Sequence, residues 1–370
     1  MAFSNNGSSR EAIQAIQFEL WPDCTTGCKF CYLNGTRRKT SVNEKSANLI
    51  DALATIKNKE IIKDYNAVGL IGGEFFAGQL RGLYSEWGNL VSYISELLRS
   101  KAIKEFWIAS SLINTIQGDI IGTLFPFTQF ELDEDQRVTL CTSYDTVGRF
   151  TLPYTLDDAE DYDIANWMRE TNSATYEELV QKCLYNEAKV EEWLNNIRFI
   201  KENYPFITIH VQTILTQDLI EKLTANPNYL DFITDLGCVI DFRYPSITRA
   251  DCPTATVIED YRSILLEKYK TFPPKFFIES RASFLRFLPI FANKYGLEKV
   301  RNLIHQPEMR SRRLKIYVDN AEIEDRWNDS RDVYLECGHL VDGLCYIDDD
   351  THCIYCDIEK FLNTQEESID

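Results

Sequence analysis

The chain has 370 residues, of which 44% are hydrophobic, and its formal net charge is −18. This apolar content suffices for a sizeable core, and because the sequence has no run of about eighteen apolar residues, no membrane span is expected. The negative charge repels a polynucleotide at long range, which argues against a broadly nucleic-acid-binding surface without excluding a local basic site.

Strand-like and helix-like segments alternate through the first 250 residues. Strands are predicted over residues 13–20, 67–71, 104–110, 136–141, 206–215 and 238–242. Helices are predicted over residues 41–56, 80–100, 112–124, 175–203 and 217–223, with capping boxes that begin at Ser41 and Thr175. Strands that alternate with helices indicate parallel βα units.

The pattern changes beyond residue 250. Helices are predicted over residues 256–269 and 280–295, and a strand over residues 314–318. We therefore divide the chain into a flexible N-terminus (1–12), a βα region (13–250), a helical extension (251–336) and a cysteine-rich segment (337–370). Residues 1–12 lack the basic and apolar regions of a secretion signal, so a cytoplasmic protein is expected.

The cysteines indicate metal binding in a reducing compartment. Eleven cysteines is an odd number, and seven of them fall in two tight clusters. Such clusters are typical of metal sites and unlike a disulfide framework. The remaining four are predicted to be small buried hydrophobic residues; they are Cys141, Cys183, Cys238 and Cys252.

The first cluster follows the first predicted strand. Cys24, Cys28 and Cys31 form a C-x3-C-x2-C pattern with an aromatic residue just before the last thiol. Three thiolates can hold three irons of a cubane cluster and leave the fourth iron open to a ligand. The alternative is a zinc knuckle that lacks its fourth ligand.

This loop resembles the cluster-binding loop of the radical S-adenosylmethionine (SAM) superfamily. The resemblance implies a partial (β/α)6 TIM-like barrel, an oxygen-sensitive [4Fe-4S] cluster held by Cys24, Cys28 and Cys31, and SAM on the open iron. It implies reductive cleavage of SAM to a 5′-deoxyadenosyl radical that abstracts hydrogen from a substrate. A reductant such as flavodoxin or ferredoxin is implied as a partner.

Two further segments resemble SAM-binding motifs of that superfamily. Gly72, Gly73 and Glu74 follow the second predicted strand and resemble the motif that lines the SAM amino group. Glycines let a ligand approach the backbone closely, and a carboxylate suits an ammonium. After the fourth predicted strand, Ser143 and Arg149 match positions that hold the ribose and carboxylate of SAM. Asp145 is a further polar candidate, with a turn-capping role as the alternative.

The second cluster lies near the C-terminus and predicts a second metal site. Four thiolates suit either an auxiliary iron–sulfur cluster or zinc, and His339 or His352 could replace one of them. The spacing does not match the longer pattern of auxiliary-cluster domains in the superfamily. The cysteines of this cluster are Cys337, Cys345, Cys353 and Cys356.

The sequence is compatible with more than one class of substrate. Basic patches at residues 37–39 and 310–315 favour a nucleotide or nucleic-acid base, and the TSYDTVGRF and GGEFF stretches resemble bacteriophage-associated radical SAM proteins linked with modification of viral DNA bases. The auxiliary-cluster-like tail favours a peptide or protein. A methyltransferase that uses Cys238 or Cys252 is also compatible with the sequence, as is a metal-stapled binding protein without turnover.

Four polar residues lie near predicted strand ends. If the register is as predicted, Tyr144, Gln212, Asp241 and Arg243 face the interior of the barrel. Asp241 and Arg243 are two residues apart on one face of a strand, so a simple ion pair is the alternative interpretation.

Overall fold

A computed structural model of the chain describes residues 14–24, 26, 28, 39–146, 164–165, 168, 173–243, 275–278, 280–304, 314–318, 321–325, 333–334, 340–341 and 354–367. The strands are β1 (Ala15–Glu19), β2 (Ala67–Ile71), β3 (Glu105–Ala109), β4 (Arg137–Ser143), β5 (Thr208–Ile214), β6 (Val239–Arg243), β7 (Leu314–Val318), β8 (Ala321–Asp325), β9 (Val333–Tyr334) and β10 (Leu340–Val341). The helices are α1 (Val42–Lys57), α2 (Lys59–Ile62), α3 (Tyr84–Arg99), α4 (Gln117–Leu124), α5 (Tyr176–Asn203), α6 (Gln217–Ala225), α7 (Asp231–Asp235), α8 (Arg281–Tyr295), α9 (Leu297–Ile304) and α10 (Ile354–Glu366).

The first six strands form a parallel sheet whose spatial order follows the chain, from β1 at one side to β6 at the other. Right-handed crossovers that always move in one direction place their helices on one face. A doubly wound sheet, by contrast, reverses its order and carries helices on both faces. The predicted α/β class with parallel βα units is confirmed, and the open sheet is compatible with a partial (β/α)6 barrel.

The two faces of this sheet differ in burial. Along β5 and β6, buried residues alternate with half-buried or exposed ones, as period-2 strands require. The buried set faces the helices: Phe242 of β6 makes edge contacts with Phe291 and Tyr295 of α8. The half-buried set lies on the opposite face, which we call the open face.

The predicted capping boxes differ in outcome. Ser41 accepts from the Glu44 amide (3.2 Å) and its own amide donates to the Glu44 carboxylate (2.8 Å), so the box at the start of α1 is complete. Thr175 accepts from the Glu178 amide (3.1 Å), but the Glu178 carboxylate accepts from Ala174 instead of Thr175. Helix α5 still begins at the predicted position.

Two predicted helices begin later than expected. Gly82 has a φ of 79°, and α3 begins only at Tyr84. Leu112 and Asn114 both have a φ of 56°, and α4 begins at Gln117. A left-handed residue cannot continue a right-handed helix, so an apolar pattern alone placed these helix starts too early.

The C-terminal part of the chain extends the same sheet. Strand β7, predicted from residues 314–318, pairs in parallel with β1, and β8 pairs antiparallel with β7. Strand β8 is an addition to the prediction for segment 251–336, and the two strands cover the edge that β1 would otherwise leave open. The predicted helix at residues 280–295 is confirmed as α8. The helix predicted at residues 256–269 lies outside the described residues, and the segment boundaries remain predictions.

Within the part of the chain that the structure describes, no helix has both the length and the apolar character needed to cross a bilayer.

Candidate functional site

The segment that leads to the first cysteine is paired with the Gly-Gly-Glu turn. The ladder between β1 and β2 continues past both strands, because the Gly73 amide donates to the Trp21 carbonyl and the Glu74 amide donates to the Asp23 carbonyl, each at 2.7 Å. The indole nitrogen of Trp21 also donates to the Glu74 carbonyl at 3.4 Å. The Gly-Gly-Glu turn is therefore joined, at the carboxyl edge of the sheet, to the backbone that directly precedes Cys24.

Close backbone approach explains both glycines of this turn. Gly72 has a φ of 136°, in a region that side-chain-bearing residues avoid. A Cβ on Gly73 would lie 1.7 Å from the carbonyl oxygen of Asp23. The sequence suggested that the glycines admit a ligand; in the structure their nearest neighbour is the backbone that carries the cysteines.

Cys24 and Cys28 converge on one hydroxyl. The Sγ atom of Cys24 lies 2.9 Å from Oγ1 of Thr26, and Sγ of Cys28 lies 3.6 Å from the same oxygen. Thiols are the donors that hold iron–sulfur clusters, so the described part of this loop fits the cluster that the resemblance implies. Cys31 lies outside the described residues, and among those described no group of three metal-ligating side chains is found.

A buried ion pair closes the other end of the cysteine loop. Both carboxylate oxygens of Asp23 accept from the Thr40 amide, at 3.1 and 3.0 Å. Lys45 of α1 lies 3.1 Å from the same carboxylate, and the two side chains are only 6% and 10% exposed. Lys45 also donates to Gln79 and lies over the Trp21 ring. Residues on both flanks of the loop are thus tied to one carboxylate.

Sequence reasoning missed the roles of Asp23 and Lys45. The available signals were an acidic residue directly before Cys24 and a capping box at Ser41, which places Lys45 in the first turns of α1. Neither signal shows that the two side chains meet, because their contact depends on how α1 packs against the end of β1.

The carboxylate of Glu74 is buried and accepts three hydrogen bonds from the protein. One oxygen accepts from the Phe76 amide (3.0 Å) and the Ser110 hydroxyl (2.7 Å), and the other accepts from the Ser111 amide (2.5 Å). Glu74 is 0% exposed. Its side chain therefore locks the turn after β2 to the end of β3, and its role toward a SAM amino group remains a prediction.

Two neighbouring polar residues at the end of β4, Ser143 and Tyr144, lie on opposite faces of the sheet. Ser143 is half-buried and lies opposite Gln212 on β5, and Asp145 is buried. Arg149 lies outside the described residues. Tyr144, expected to face the barrel interior, lies on the helix side, where it packs against Trp193 and Phe232. Burial there raises the pKa of Tyr144.

The other three predicted inward-facing residues share the open face. Gln212 and Asp241 are in register on β5 and β6, and Arg243 follows two residues later. Nε and Nη2 of Arg243 donate to Oδ2 of Asp241 at 2.9 and 2.5 Å. The expected ion pair exists, and it lies at the same edge of the sheet as the cysteine loop.

The scattered cysteines that the structure describes are not alike. Cys238 is buried, as predicted, and burial raises its pKa to about 11. Cys141 lies on the open face of β4 and is half-buried, although burial raises its pKa to about 12. The side chain of Cys183 and all of Cys252 lie outside the described residues.

The second cysteine cluster is described at one position. Cys356 lies in the first turn of α10, half-buried against the core, and the next residue, Asp357, is held at 2.9 Å by Arg281 of α8. Cys337, Cys345 and Cys353, together with His339 and His352, lie outside the described residues. The second metal site remains a prediction.

No protein-family model matches the chain, and no curated protein matches it. Among solved structures, it is similar to a hexahistidine-tagged anSMEcpe with bound AdoMet, at 11% identity and a TM-score of 0.34, over 70% of this chain and 57% of that one. It is also similar to a variant carboxyl transferase domain of Rhizobium etli pyruvate carboxylase with pyruvate, at 11% identity and a TM-score of 0.19, over 80% of this chain and 48% of that one. The chain thus spans about half of the length of each of these two structures.

Proposed function

We propose that this chain is a radical SAM enzyme. The observation that carries the proposal is a backbone pairing at the carboxyl edge of a parallel sheet: Trp21 and Asp23, which lead into the C-x3-C-x2-C loop after β1, accept from Gly73 and Glu74 of the turn after β2. Ligands of parallel βα folds are bound at this edge. A cluster on the cysteines and a ligand on the glycine turn would therefore be neighbours.

Cys24, Cys28 and Cys31 are proposed to hold a [4Fe-4S] cluster. When bound, the cluster supplies the electron for reductive cleavage of SAM to methionine and a 5′-deoxyadenosyl radical. The protein's part is to hold the loop. Asp23 holds both flanks of the loop through Thr40 and Lys45. Gly73 has no side chain, which leaves room for the Asp23 backbone.

SAM is proposed to bind beside this loop. The backbone around Gly72 and Gly73 is the proposed partner of the SAM amino group, since the Glu74 carboxylate already accepts three hydrogen bonds from the protein. Ser143, Asp145 and Arg149 are proposed to complete the site from the end of β4. Main-chain carbonyl oxygens suit an ammonium group, because they accept hydrogen bonds and carry no side chain that blocks its approach.

The core behind the loop is dense and aromatic. Trp21 makes an edge contact with Phe75, and both rings pack near Trp87 of α3, at centroid distances between 5.1 and 6.3 Å. All three side chains are at most 2% exposed. The start of the loop at Trp21 is therefore backed by a dry core, which suits chemistry in which a reactive intermediate must be shielded.

The proposed substrate is a nucleotide or nucleic-acid base, and the proposed electron donor is flavodoxin or ferredoxin. The substrate would reach the site from the open face, because the crossover helices cover the other face. A peptide substrate is the alternative, and it depends on the second metal site.

The test is anaerobic reconstitution of the full chain with iron and sulfide, followed by reduction and addition of SAM. Expected results are a [4Fe-4S] absorption and electron paramagnetic resonance spectrum and the formation of 5′-deoxyadenosine. Cys28→Ala should abolish both, whereas Cys238→Ala, which removes a buried thiol far along the chain, should abolish neither. A loaded, reducible cluster that never yields 5′-deoxyadenosine, with or without nucleotides, would contradict the proposal.

A further inference from the structure

A large aromatic ring lies flat on the open face, near the middle of the sheet. Trp107 belongs to the half-buried set of β3 and pairs with Gly69 of β2. A Cβ on Gly69 would lie 2.2, 2.4 and 2.5 Å from the indole atoms Cε2, Nε1 and Cζ2. Cε2 lies between the other two atoms in the ring and is the nearest, so the ring covers Gly69 with its face and not with its edge. The opposite face of the indole therefore points away from the sheet.

The outward face of this indole is left accessible. Among the residues that the structure describes, neither a second aromatic ring nor a hydrogen-bond partner meets Trp107. The next residue on the same face of β3 is Ala109, which is too small to cover an indole. The interior of a βα barrel is normally filled by layers of bulky side chains. Water can satisfy a half-buried polar group, but it leaves the apolar surface of a ring uncompensated.

A buried hydroxyl lies beside the ring and points independently to a ligand. Thr139 of β4 is in register with Trp107 and shares the open face with Cys141 and Ser143. The residue is only 4% exposed. Within the described part of the chain, its hydroxyl has no hydrogen-bond partner. Buried hydroxyls are normally hydrogen-bonded, and one left without a partner costs stability unless a bound group meets it.

Uncharged polar side chains extend this row on both sides. Strand register places Gln17 of β1 beside Gly69, and Thr208 of β5 beside Thr139. The row carries no charge, although the formal net charge of the chain is −18. Amide and hydroxyl side chains form hydrogen bonds with the edges of nucleobases, and aromatic rings stack on their faces. The row thus combines both kinds of contact that a base requires.

We propose that Trp107 is the stacking platform for a nucleobase of the substrate and that Thr139 forms a hydrogen bond with an edge of that base. The proposal rests on the radical SAM function proposed above and assigns the base-binding part of the substrate site to β3 and β4. Gly69 is a positioning residue, because any side chain there would meet the indole. Gly72 follows three residues later on the same chain segment, so the platform lies about 10 Å from the turn proposed to bind SAM.

A nucleobase matches this arrangement better than an aromatic side chain of a peptide. A base carries hydrogen-bond donors and acceptors around its rim, in the plane of the ring. A hydroxyl beside the platform can meet that rim while the base stacks on Trp107, whereas a phenylalanine ring would leave the hydroxyl without a partner. Because the platform lies on the inner face of the sheet, a base reaches it only as a free nucleotide or after it has left the stack of a duplex.

The test measures binding of the four 2′-deoxynucleosides to the reconstituted full chain by calorimetry and by tryptophan fluorescence. The nucleosides should quench the fluorescence of the parent chain, and Trp107→Phe should remove this quenching but keep most of the affinity. Trp107→Leu should weaken binding about tenfold, because stacking is lost. Thr139→Val keeps the shape without the hydroxyl and should weaken binding about fivefold. Phe125→Leu is the matched control: this ring is 57% exposed, directly after α4, and its loss should not change the affinity.

Four results would overturn the proposal. They are an absence of quenching in the parent chain, equal affinity of the parent and folded Trp107→Leu, tighter binding of N-acetyltyrosinamide than of any nucleoside, and a loss of affinity for SAM alone in the Trp107 variants. The third result would assign the ring to a peptide, and the fourth to the adenine of SAM. Circular dichroism checks that the variants are folded, and Trp107→Phe carries the test if Trp107→Leu does not fold.

Nucleoside binding and the formation of 5′-deoxyadenosine are separate measurements. A chain that binds nucleosides on Trp107 without producing 5′-deoxyadenosine would contradict the proposed function and leave the platform standing. A chain that produces 5′-deoxyadenosine without quenching by nucleosides would contradict the platform alone.

Discussion

The carbonyl oxygen of Asp23 accepts a hydrogen bond from the main-chain amide of Glu74, with an N–O distance of 2.7 Å. Asp23 directly precedes Cys24, and Glu74 ends the Gly-Gly-Glu turn. The position of the first cysteine is therefore set by the backbone of the turn, and a change in the turn should reach the cysteine loop.

Gly73→Ala should displace the cysteine loop. Its Cβ would lie 1.7 Å from the Asp23 carbonyl oxygen, so the backbone must move. We expect the free energy of unfolding to fall by about 3 kcal/mol, as in severe overpacking, and the iron content after reconstitution to fall with it. Gly88→Ala is the matched control: nothing lies within 4 Å of its Cβ, in the middle of α3. It should gain about 1 kcal/mol from helix propensity. Equal behaviour of the two variants would contradict this account of the turn.

Asp23→Asn should loosen both flanks of the loop. It removes one charge of a pair whose side chains are 6% and 10% exposed, and leaves Lys45 buried without its counter-charge. A loss of about 3 kcal/mol in unfolding free energy is expected, to be measured by urea denaturation. The comparison variant is Glu60→Gln, which breaks an ion pair whose side chains are 81% and 57% exposed and should change little. Similar costs for the two variants would show that the buried pair does not close the loop.

Glu74→Gln should destabilise the protein even without SAM. Three donors point at this carboxylate, and the glutamine amide would turn an NH₂ group toward at least one of them. The expected loss is about 2 kcal/mol, from a buried donor left without an acceptor. Thermal unfolding of the SAM-free protein measures it, and Ser110→Ala should cost less because it removes one of the three contacts. An unchanged melting temperature with impaired SAM binding would instead make Glu74 a ligand-contacting residue.

His210 should make the protein less stable in mild acid. Burial lowers its pKa below the ordinary value of 6.5, while Asp241 opposes the shift and Lys299, Arg137 and Arg243 reinforce it. Between the lowered pKa and 6.5 the unfolded chain binds more protons than the folded one, so stability falls as pH falls through that window. The melting temperature should therefore drop more in the parent protein than in His210→Gln between about pH 7.5 and 5.5. Parallel pH profiles would exclude this contribution.

Gly69→Ala should disturb the open face from within the sheet. A Cβ on Gly69 would lie 2.2 Å from the indole of Trp107, the residue of β3 that pairs with Gly69 of β2. The ring must move, at an expected cost of about 2 kcal/mol, and the tryptophan fluorescence spectrum should shift. Trp107→Leu in the same chain should recover most of the stability, because the smaller side chain vacates that space. No recovery would mean that the strain lies elsewhere.

The strands were largely predictable from the sequence, whereas the starts of helices were less so. Segment 67–71 forms β2 as predicted, because an apolar run of five residues that ends in two glycines is too short for a buried helix. Helix α4 begins at Gln117 instead of near Leu112, since the left-handed residues before it leave no mark in an apolar pattern. The expected facing of Tyr144 was wrong because the residue keeps the alternation of β4: Thr142 and Tyr144 both contact Trp193 on the helix side, whereas Ser143 lies on the open face.

The sequence by itself determined the parallel βα order, the position of the cysteine loop after β1, and the glycine turn after β2, because these depend on local periodicity and on residue types that few other roles require. Only the tertiary structure decided that the glycines make room for the backbone before Cys24, that the Glu74 carboxylate accepts from Ser110 and Ser111 after β3, and that Lys45 pairs with Asp23. It also placed Gln212 of β5 in register with Asp241 of β6. These contacts join residues that are far apart in the chain, and their partners are fixed by strand register and helix packing.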